Sequence, residues 1–396
     1  MYLTVGENSA DQTHPRDPLL RTLVVRFVVG LAVSLLVVAV CSLPVVRTFE
    51  DRVLDVRIHL WRELVEPDTR NFLIVTIDNR SLASAGLTWP LPPDVYARAI
   101  LALREAGARA IGVTVPFDTP EPDAGHDAML AQAVNGVSDV VLASRLDCSH
   151  IPPVLHLPRL RCASGYCHVA ADSDGVVRQF SIAPDGVEAT CFPLALLRLA
   201  FHSPQFVPQG YLDAPGTRFP ITWAGAPGQT FPEISLARVL SGKGLAKEVK
   251  GRVVLLGSTL AGSAGRVRTP FSTTVWGRST GTGMTRVELM ANIVYTLASQ
   301  DSLQRLTAPQ TALFVGGIAF VTFVIAASFH PLFSAVVCLF LIAMTFLETF
   351  GQMVLGGHLY PLFAPCFAVV AAWGAAGAWR FGAWVWKLAT RGFRRR

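Results

Sequence analysis

FVVGLAVSLLVVAVCSLPVV, the stretch from Phe27 to Val46, carries no charge. A helix of about 20 residues is about 30 Å long, enough to cross the hydrocarbon core of a bilayer. Arg16, Arg21 and Arg26 precede it. The run is longer than the apolar core of a secretory leader, and no A-x-A-like cleavage site comes after it. It reads as an uncleaved signal anchor. A cleaved leader is the other reading, and either one exports the chain beyond Val46.

Three further apolar stretches lie near the other end: Ala312 to Ser328, Leu332 to Val354, and Leu359 to Trp379. His330-Pro331 and Gly356-Gly357 interrupt them. Arg380, Lys387, Arg391, Arg394, Arg395 and Arg396 come after, with no acidic residue among them. Positively charged flanks stay in the cytoplasm. The rule therefore puts residues 1–26 and the basic tail 380–396 inside, with four spans between them. Residues 47–306 then lie outside, in the periplasm of a Gram-negative cell or its equivalent. The expected location is a bacterial inner membrane, multi-pass.

Composition agrees. The chain is 51% hydrophobic and 16% charged, against about 25% charged for an average soluble domain. The net charge of +6 comes largely from arginines that flank the spans. Nucleic acid is therefore not expected as a partner, whereas membrane lipid is. The tail from Lys387 to Arg396 is either a topology signal alone or a contact for anionic lipid or an acidic partner.

The exported segment begins with Phe72-Leu-Ile-Val-Thr-Ile77, a β-branched run that ends at Asp78-Asn79 and reads as a buried strand. Asp94 is placed to cap a helix that stops at Gly107. Ala110 to Val115 is a second strand, Asp127 to Val134 a helix, and Val140 to Ser144 a third strand. This alternation implies right-handed crossovers and a largely parallel sheet. Residues 147–165 read as a loop. Tyr166 to Ala170 and Val176 to Ile182 read as a hairpin around Asp172-Ser-Asp-Gly175. A helix near Phe192 to Phe201, a strand at Phe219 to Trp223, a short helix at Ile234 to Leu240, a strand at Arg252 to Gly257 and a helix at Val287 to Ala298 complete the unit. The expected fold is an α/β domain with a mixed, largely parallel sheet, plus four α-helical transmembrane spans.

Cys41, Cys338 and Cys366 fall in spans. Cys148, Cys162, Cys167 and Cys191 fall in the exported domain, where an oxidising compartment permits disulfides. Four cysteines allow three connectivities. The pairing expected here is Cys148 with Cys162 and Cys167 with Cys191. Zinc is the competing use, weakened by the lack of a C-x-x-C pair.

The order of short motifs resembles the CHASE-type extracellular sensory domain of the second class. The resembling pieces are Ile74-Val-Thr-Ile-Asp78 with Ser81-Leu82, Gly86 with Trp89-Pro90, and Leu103 to Gly107-Ala108. Asp172-Ser-Asp-Gly-Val-Val-Arg178, Val253-Val-Leu-Leu-Gly257, Thr269-Pro270, Val287-Glu288 with Ala291, and Gly357-His-Leu-Tyr-Pro361 come next in the family's order. The resemblance covers nearly the whole chain, including the one-plus-three arrangement of spans. Three positions depart from it. Leu91-Pro-Pro-Asp94 stands where an arginine is usual, Val113-Thr-Val115 lacks the usual aspartate, and Arg266-Val-Arg268 replaces the aspartate before Thr-Pro. The resemblance implies a sensor, and the altered polar positions imply a different ligand or none. Relatives usually continue into a cytoplasmic enzyme. No Walker loop, kinase signature or cyclase fits in the short tail here, so the expected reader of the signal is a separate protein.

Candidate ligand-binding residues are Asp78, Trp89, Asp118, Arg178, Ser258 and Thr259. Ligands gather at the carboxyl ends of parallel strands, where Asp78, Asp118, Ser258 and Thr259 would lie. Each also has a plainer use, as a helix cap, turn or loop anchor. Asp172-Ser-Asp-Gly175 has the start of a calcium-loop pattern but not its later Glu, and a tight turn uses the same residues. Gly257-Ser-Thr-Leu-Ala-Gly262 is either an anion-binding turn without the lysine of a P-loop or a simple strand exit. Glu348 is the one charge inside an otherwise apolar span. That placement costs roughly 2.5–3.5 kcal/mol on insertion scales and marks it for a packing, partner or proton role unless it sits at the interface.

No G-x-S-x-G, H-E-x-x-H or convincing Cys–His pair is present, so an enzyme is not expected, and nothing implies a cofactor or metal. The first functional reading is a membrane-anchored extracytoplasmic sensor or input subunit that passes a signal to a separate partner, with a second copy of the chain among its candidate partners. The second is a structural or assembly component of an envelope complex. A transporter would need a polar path that four such helices do not supply.

Overall fold

The computed structural model describes residues 18–117, 124–135, 137–144, 162–182, 190–203, 205–206, 218–260, 265–272, 283–299, 304–355 and 358–393. In chain order the helices are α1 (Pro18–Cys41), α2 (Pro44–Leu64), α3 (Asn79–Ala85), α4 (Pro93–Glu105), α5 (Ala124–Val134), α6 (Phe192–Ala200), α7 (Leu236–Ser241), α8 (Ala246–Val249), α9 (Arg286–Ser299), α10 (Ala308–Ser328), α11 (Pro331–Val354) and α12 (Phe363–Phe393). The strands are β1 (Phe72–Ile77), β2 (Ala110–Val113), β3 (Val140–Ser144), β4 (Ala163–Tyr166), β5 (Gln179–Ser181), β6 (Arg218–Pro220), β7 (Glu233–Ser235), β8 (Val253–Ser258), β9 (Gln304–Arg305) and β10 (His358–Leu359). The chain divides into two compact units. One comprises residues 1–50, 307–348 and 361–396, and the other residues 51–306 and 349–360.

Four helices in the first unit are long and apolar enough to cross a membrane: Leu20–Cys41, Ala308–Ser328, Pro331–Val354 and Phe363–Arg391. Their packing uses small residues. Ala364, Ala368, Ala372 and Ala376 recur every fourth position along α12 and are buried with Val315, Ala319 and Phe323 of α10. Ser34 of α1 donates its hydroxyl to the Gly316 carbonyl. Lipid tails are as apolar as leucine, so helices in a membrane associate through close backbone approach and such hydrogen bonds. The Glu50 carboxylate accepts from the Leu362 and Ala364 amides (2.7 and 3.0 Å). It thereby satisfies donors that the first turn of α12 would leave unpaired. Leu332, Phe340 and Leu347 of α11 are exposed, as lipid-facing side chains are.

The second unit is built on a six-stranded sheet of order β4-β3-β2-β8-β1-β7. Every neighbouring pair in it is parallel. β1 and β8 are buried at all positions, which is why each reads as a continuous apolar run rather than an alternation. Leu73, Val75 and Ile77 face a core shared with α4 and α7, whereas Phe72 and Ile74 face one shared with α6 and α9. Period-2 alternation sends successive side chains to opposite faces, and both faces are covered.

Several elements differ from the sequence reading. β4 begins inside the stretch read as a loop and ends at Tyr166, and it pairs with β3 at the sheet edge. No hairpin joins Tyr166–Ala170 to Val176–Ile182. Instead β5 pairs antiparallel with β6. The turn itself is present: the Gly175 amide donates to the Asp172 carbonyl (2.8 Å), and Gly175 has φ 77°, a conformation that suits glycine. α4 begins at Pro93 with Pro92 as its cap, so Asp94 sits in the first turn instead of capping it. Ile234 belongs to the edge strand β7, ahead of the short helix α7.

The expected disulfides are corrected. Cys162, Cys167 and Cys191 are free thiols, and Cys148 lies outside the described residues. The local register sets Cys191 opposite Tyr166 rather than Cys167. Burial pushes the Cys162 thiol up to about 11 and the Cys191 thiol up to about 12. Thiols held in the protonated form are poor nucleophiles for disulfide exchange.

Candidate functional site

Parallel pairing of β1 with β8 sets Ile77 opposite Ser258. Asp78 and Thr259 come directly after these two residues, so the sheet brings Asp78, Ser258 and Thr259 to its carboxyl edge, as expected. Each is used locally. Asp78 caps α3: its carboxylate accepts from the Ser81 amide (2.7 Å), and the Ser81 hydroxyl accepts from the Asp78 amide (2.9 Å). The Ser258 hydroxyl accepts from the Leu260 amide (3.3 Å). Thr259 donates its amide and its hydroxyl to the Ile77 carbonyl (3.1 and 3.3 Å). Trp89 precedes a cis peptide bond to Pro90 and packs, half-buried, against the core beneath α4. Asp118 lies outside the described residues. Glu348 lies on an exposed side of α11.

The Asp78 cap gives a signed pH prediction. Burial works against the carboxylate, but hydrogen bonds from Ser81 outweigh it and hold Asp78 below the usual aspartate range. Its stabilising effect is therefore complete above the unfolded pKa and is lost as pH falls through the lower, folded one. Asp78→Ala is expected to cost about 1 kcal/mol at pH 7. The gap between variant and wild type should close as the pH falls from the ordinary aspartate range through the lower, folded-state value. Thermal unfolding of both proteins across pH checks this; a gap that stays constant with pH refutes the cap's role.

Arg178 is placed elsewhere, and it is 2% exposed. Its guanidinium donates to both carboxylate oxygens of Asp55 (2.7 and 2.8 Å). It donates also to Asp172 (3.1 Å) and to both oxygens of Asp174 (3.0 and 2.8 Å). Burial alone would disfavour its charge, but the hydrogen bonds to Asp55 and Asp174 more than offset this and hold it protonated. The two turn carboxylates that suggested a calcium loop are thus both engaged by one arginine. The cluster ties α2, the helix next after the first span in sequence, to the Asp172-Ser-Asp-Gly175 turn across 123 residues of chain.

α2 is held at further points. Buried Arg57 donates to the carbonyls of Tyr360 (2.9 Å) and Thr349. Arg62 donates to the Trp223 carbonyl. The His59 ring lies 3.1 Å from the Pro270 carbonyl and packs edge-on against Phe271. Asp55, Arg57 and Arg62 went unnoticed in the sequence because each is an ordinary charge on a helix of mixed polarity.

A second group, to which the sequence reading gave no site role although Glu288 belongs to a motif of the resemblance, is Glu288, Asn292 and Thr296, one side of the otherwise apolar α9. They accept from the backbone amides of Gly228, Ala224 (2.8 Å) and Thr222 (3.0 Å) respectively. The segment 222–228 lies outside the named strands, so side chains satisfy its amides, those of buried Thr222 and Ala224 among them, in place of a neighbouring strand. Polar residues at every fourth position of a buried helix were the available signal.

At the opposite, amino end of the sheet is a cleft of about 330 Å³. Phe72 and Val253, the first residues of β1 and β8, line it. Leu197 and Phe201 at the end of α6, and Tyr295, Ala298 and Ser299 at the end of α9, form its walls. Asp68, Asn71 and Arg109 complete the lining. None of the described candidate ligand residues, Asp78, Trp89, Arg178, Ser258 and Thr259, is among its lining residues.

The four apolar helices, and the parallel-sheet unit between them in sequence, define a membrane protein with one large domain outside the bilayer. A family model described as the CHASE2 domain matches residues 31–327, three quarters of the chain, and the chain belongs to that family. CHASE2 domains are extracellular sensory domains. No curated protein and no solved structure gives a match.

Proposed function

We propose that this protein is an extracytoplasmic sensor or input subunit whose signal is read by a separate protein, with both termini in the cytoplasm. The observation that carries this reading is the Arg178 cluster. It couples the turn at Asp172–Gly175 to α2, so a change in the sensory domain that alters the turn alters the hold on that helix. Signalling needs two states with different ligand affinity, and a buried ion-pair cluster between two elements is a feature that such states can rearrange. Glu348, a charge on an exposed side of a span, supports contact with a partner or a second copy of the chain. The basic tail suits anionic lipid at the inner surface. A permanent envelope scaffold is the alternative.

The test is recovery of the full-length protein from native membranes in mild detergent, with mass spectrometry of what accompanies it. A cytoplasmic signalling enzyme that is retained by wild type and depleted with Glu348→Leu is the expected result. Envelope or secretion components alone, unchanged by Glu348→Leu, would replace the sensor reading with the scaffold.

A further inference from the structure

We infer that α2 is a dimer interface, in which an apolar seam along its outer side packs against the same seam of a second copy of this chain. Val46, Phe49, Val53, Val56 and Leu60 follow one another at intervals of three, four, three and four residues, and all fall within α2. That is the repeat of a two-stranded coiled coil, with Val46, Val53 and Leu60 at its a positions and Phe49 and Val56 at its d positions. Leu64 extends the seam by one turn.

α2 joins its own domain by a different face. Leu54, Ile58 and Trp61 are buried in the core shared with α6 and α9. Val53, Val56, Leu60 and Leu64 belong to none of the apolar cores. Leu60 and Leu64 are 41% and 70% exposed. Phe49 is exposed too, and it also stacks on the Phe363 ring. At about 100° of rotation per residue, Arg52, His59 and Glu63 separate the seam from the buried face on one side, and Arg57 does so on the other. A stripe this narrow between polar flanks is the seam of a coiled coil, not the broad apolar face of a helix that lies on a membrane.

Two features select a second copy as the occupant. An a/d seam is self-complementary: in two identical helices related by a two-fold axis, a meets a and d meets d. Only Ser42 and Leu43 separate α2 from the span α1, and every copy crosses the bilayer in the same sense. Neighbouring copies therefore send α2 out of the membrane in the same direction, as such a seam requires. Twenty-one residues make a short coiled coil, but α2 is already ordered by its domain. The membrane also holds copies at a high local concentration, so the contact has less entropy to offset. The same helix carries Asp55, which Arg178 holds, so a change at the Asp172–Gly175 turn reaches the second copy through α2. That use rests on the sensor reading; the seam itself does not.

The test is oxidative cross-linking of the full-length protein in native membranes. Val53→Cys, Val56→Cys and Leu60→Cys are compared with wild type, whose seven native cysteines set the background. Leu101→Cys is the control, at a residue of α4 that is 49% exposed. A disulfide-linked band of twice the chain's mass is expected from the three seam variants and not from Leu101→Cys, because a and d side chains face their own copies within disulfide reach. Leu60→Glu added to Val53→Cys sets like charges across the seam and should abolish the band. A cooperative thermal melt confirms that this double variant is folded.

No band above wild type from any seam position overturns the inference, as does an equal band from Leu101→Cys or a Val53→Cys band that survives Leu60→Glu. A cross-linked band of some other mass gives the seam to a different protein. Protection of Leu60→Cys from a water-soluble maleimide, without cross-linking, gives it to the lipid surface. None of these results touches the sensor reading, which stands or falls on the partner recovered from membranes.

Discussion

Replacing Arg178 with methionine is expected to destabilise the protein by about 3–5 kcal/mol, lowering the unfolding temperature by roughly 10 °C. The side chain is 1% exposed, and its partners Asp55, Asp172 and Asp174 are 5%, 14% and 25% exposed. Removing this cation leaves the Asp55, Asp172 and Asp174 carboxylates facing each other without the guanidinium that joins them. Asp172 and Asp174 sit on a turn and can move toward water. Asp55 is fixed on α2 and cannot, so most of the cost falls on that group. The double variant Arg178→Met with Asp55→Leu should therefore recover a large part of the lost stability, since a buried ion pair exchanged for apolar groups is often neutral. Thermal unfolding of the four proteins of this cycle in mild detergent measures the coupling. A single variant within about 1 kcal/mol of wild type would show that the cluster contributes little and would remove the physical basis for coupling α2 to the turn.

Gly165→Ala is expected to cost about 3 kcal/mol, the upper end of the usual range for overpacking. A Cβ at this position in β4 would lie 2.5 Å from the Phe192 Cα and 2.6 Å from its backbone nitrogen. Those atoms belong to the first turn of α6, whose Phe192, Leu196 and Leu197 are fully buried. A flexible side chain could swing aside, but a buried helix backbone cannot. Gly317→Ala in α10 is the control, because nothing lies within 4 Å of its added Cβ. It should change stability by less than about 1 kcal/mol. Equal stability of Gly165→Ala and wild type in a thermal melt would mean that β4 does not pack against α6 as described.

Gly165 also marks where the sequence could be read and where it could not. The central strands β1, β3 and β8 and the long helix α9 were legible, because burial on both faces requires unbroken apolar runs that no other structure explains as well. β4 and β7 are short edge strands of mixed polarity, Ala163–Tyr166 and Glu233–Ser235. Their strand character comes from the neighbour that pairs with them rather than from their own residues. The exchange of the expected hairpin for the β5–β6 pair has the same origin. Asp172 to Gly175 specified a turn, but a turn does not name the strand that will pair after it.

The site divides in the same way. The carboxyl-edge residues Asp78, Ser258 and Thr259 were placed correctly by strand direction alone, yet whether they face a ligand or cap a helix depends on atoms within a few ångströms, and each caps or closes its own segment. The role of Arg178 depends on Asp55, 123 residues away. The amino-end cleft draws its walls from the starts of two strands and the ends of two helices that are far apart in the chain.

The sequence by itself determined the membrane spans, the parallel α/β class and the family, because these derive from hydrophobic periodicity, length and the order of local motifs. The tertiary structure alone decided that the described cysteines remain thiols, that one arginine joins α2 to a distant turn, and that a cleft opens at the amino end of the sheet. Each of these is a relation between residues brought together only when the apolar runs pack. No local pattern records the distance between groups whose neighbours are chosen by the fold.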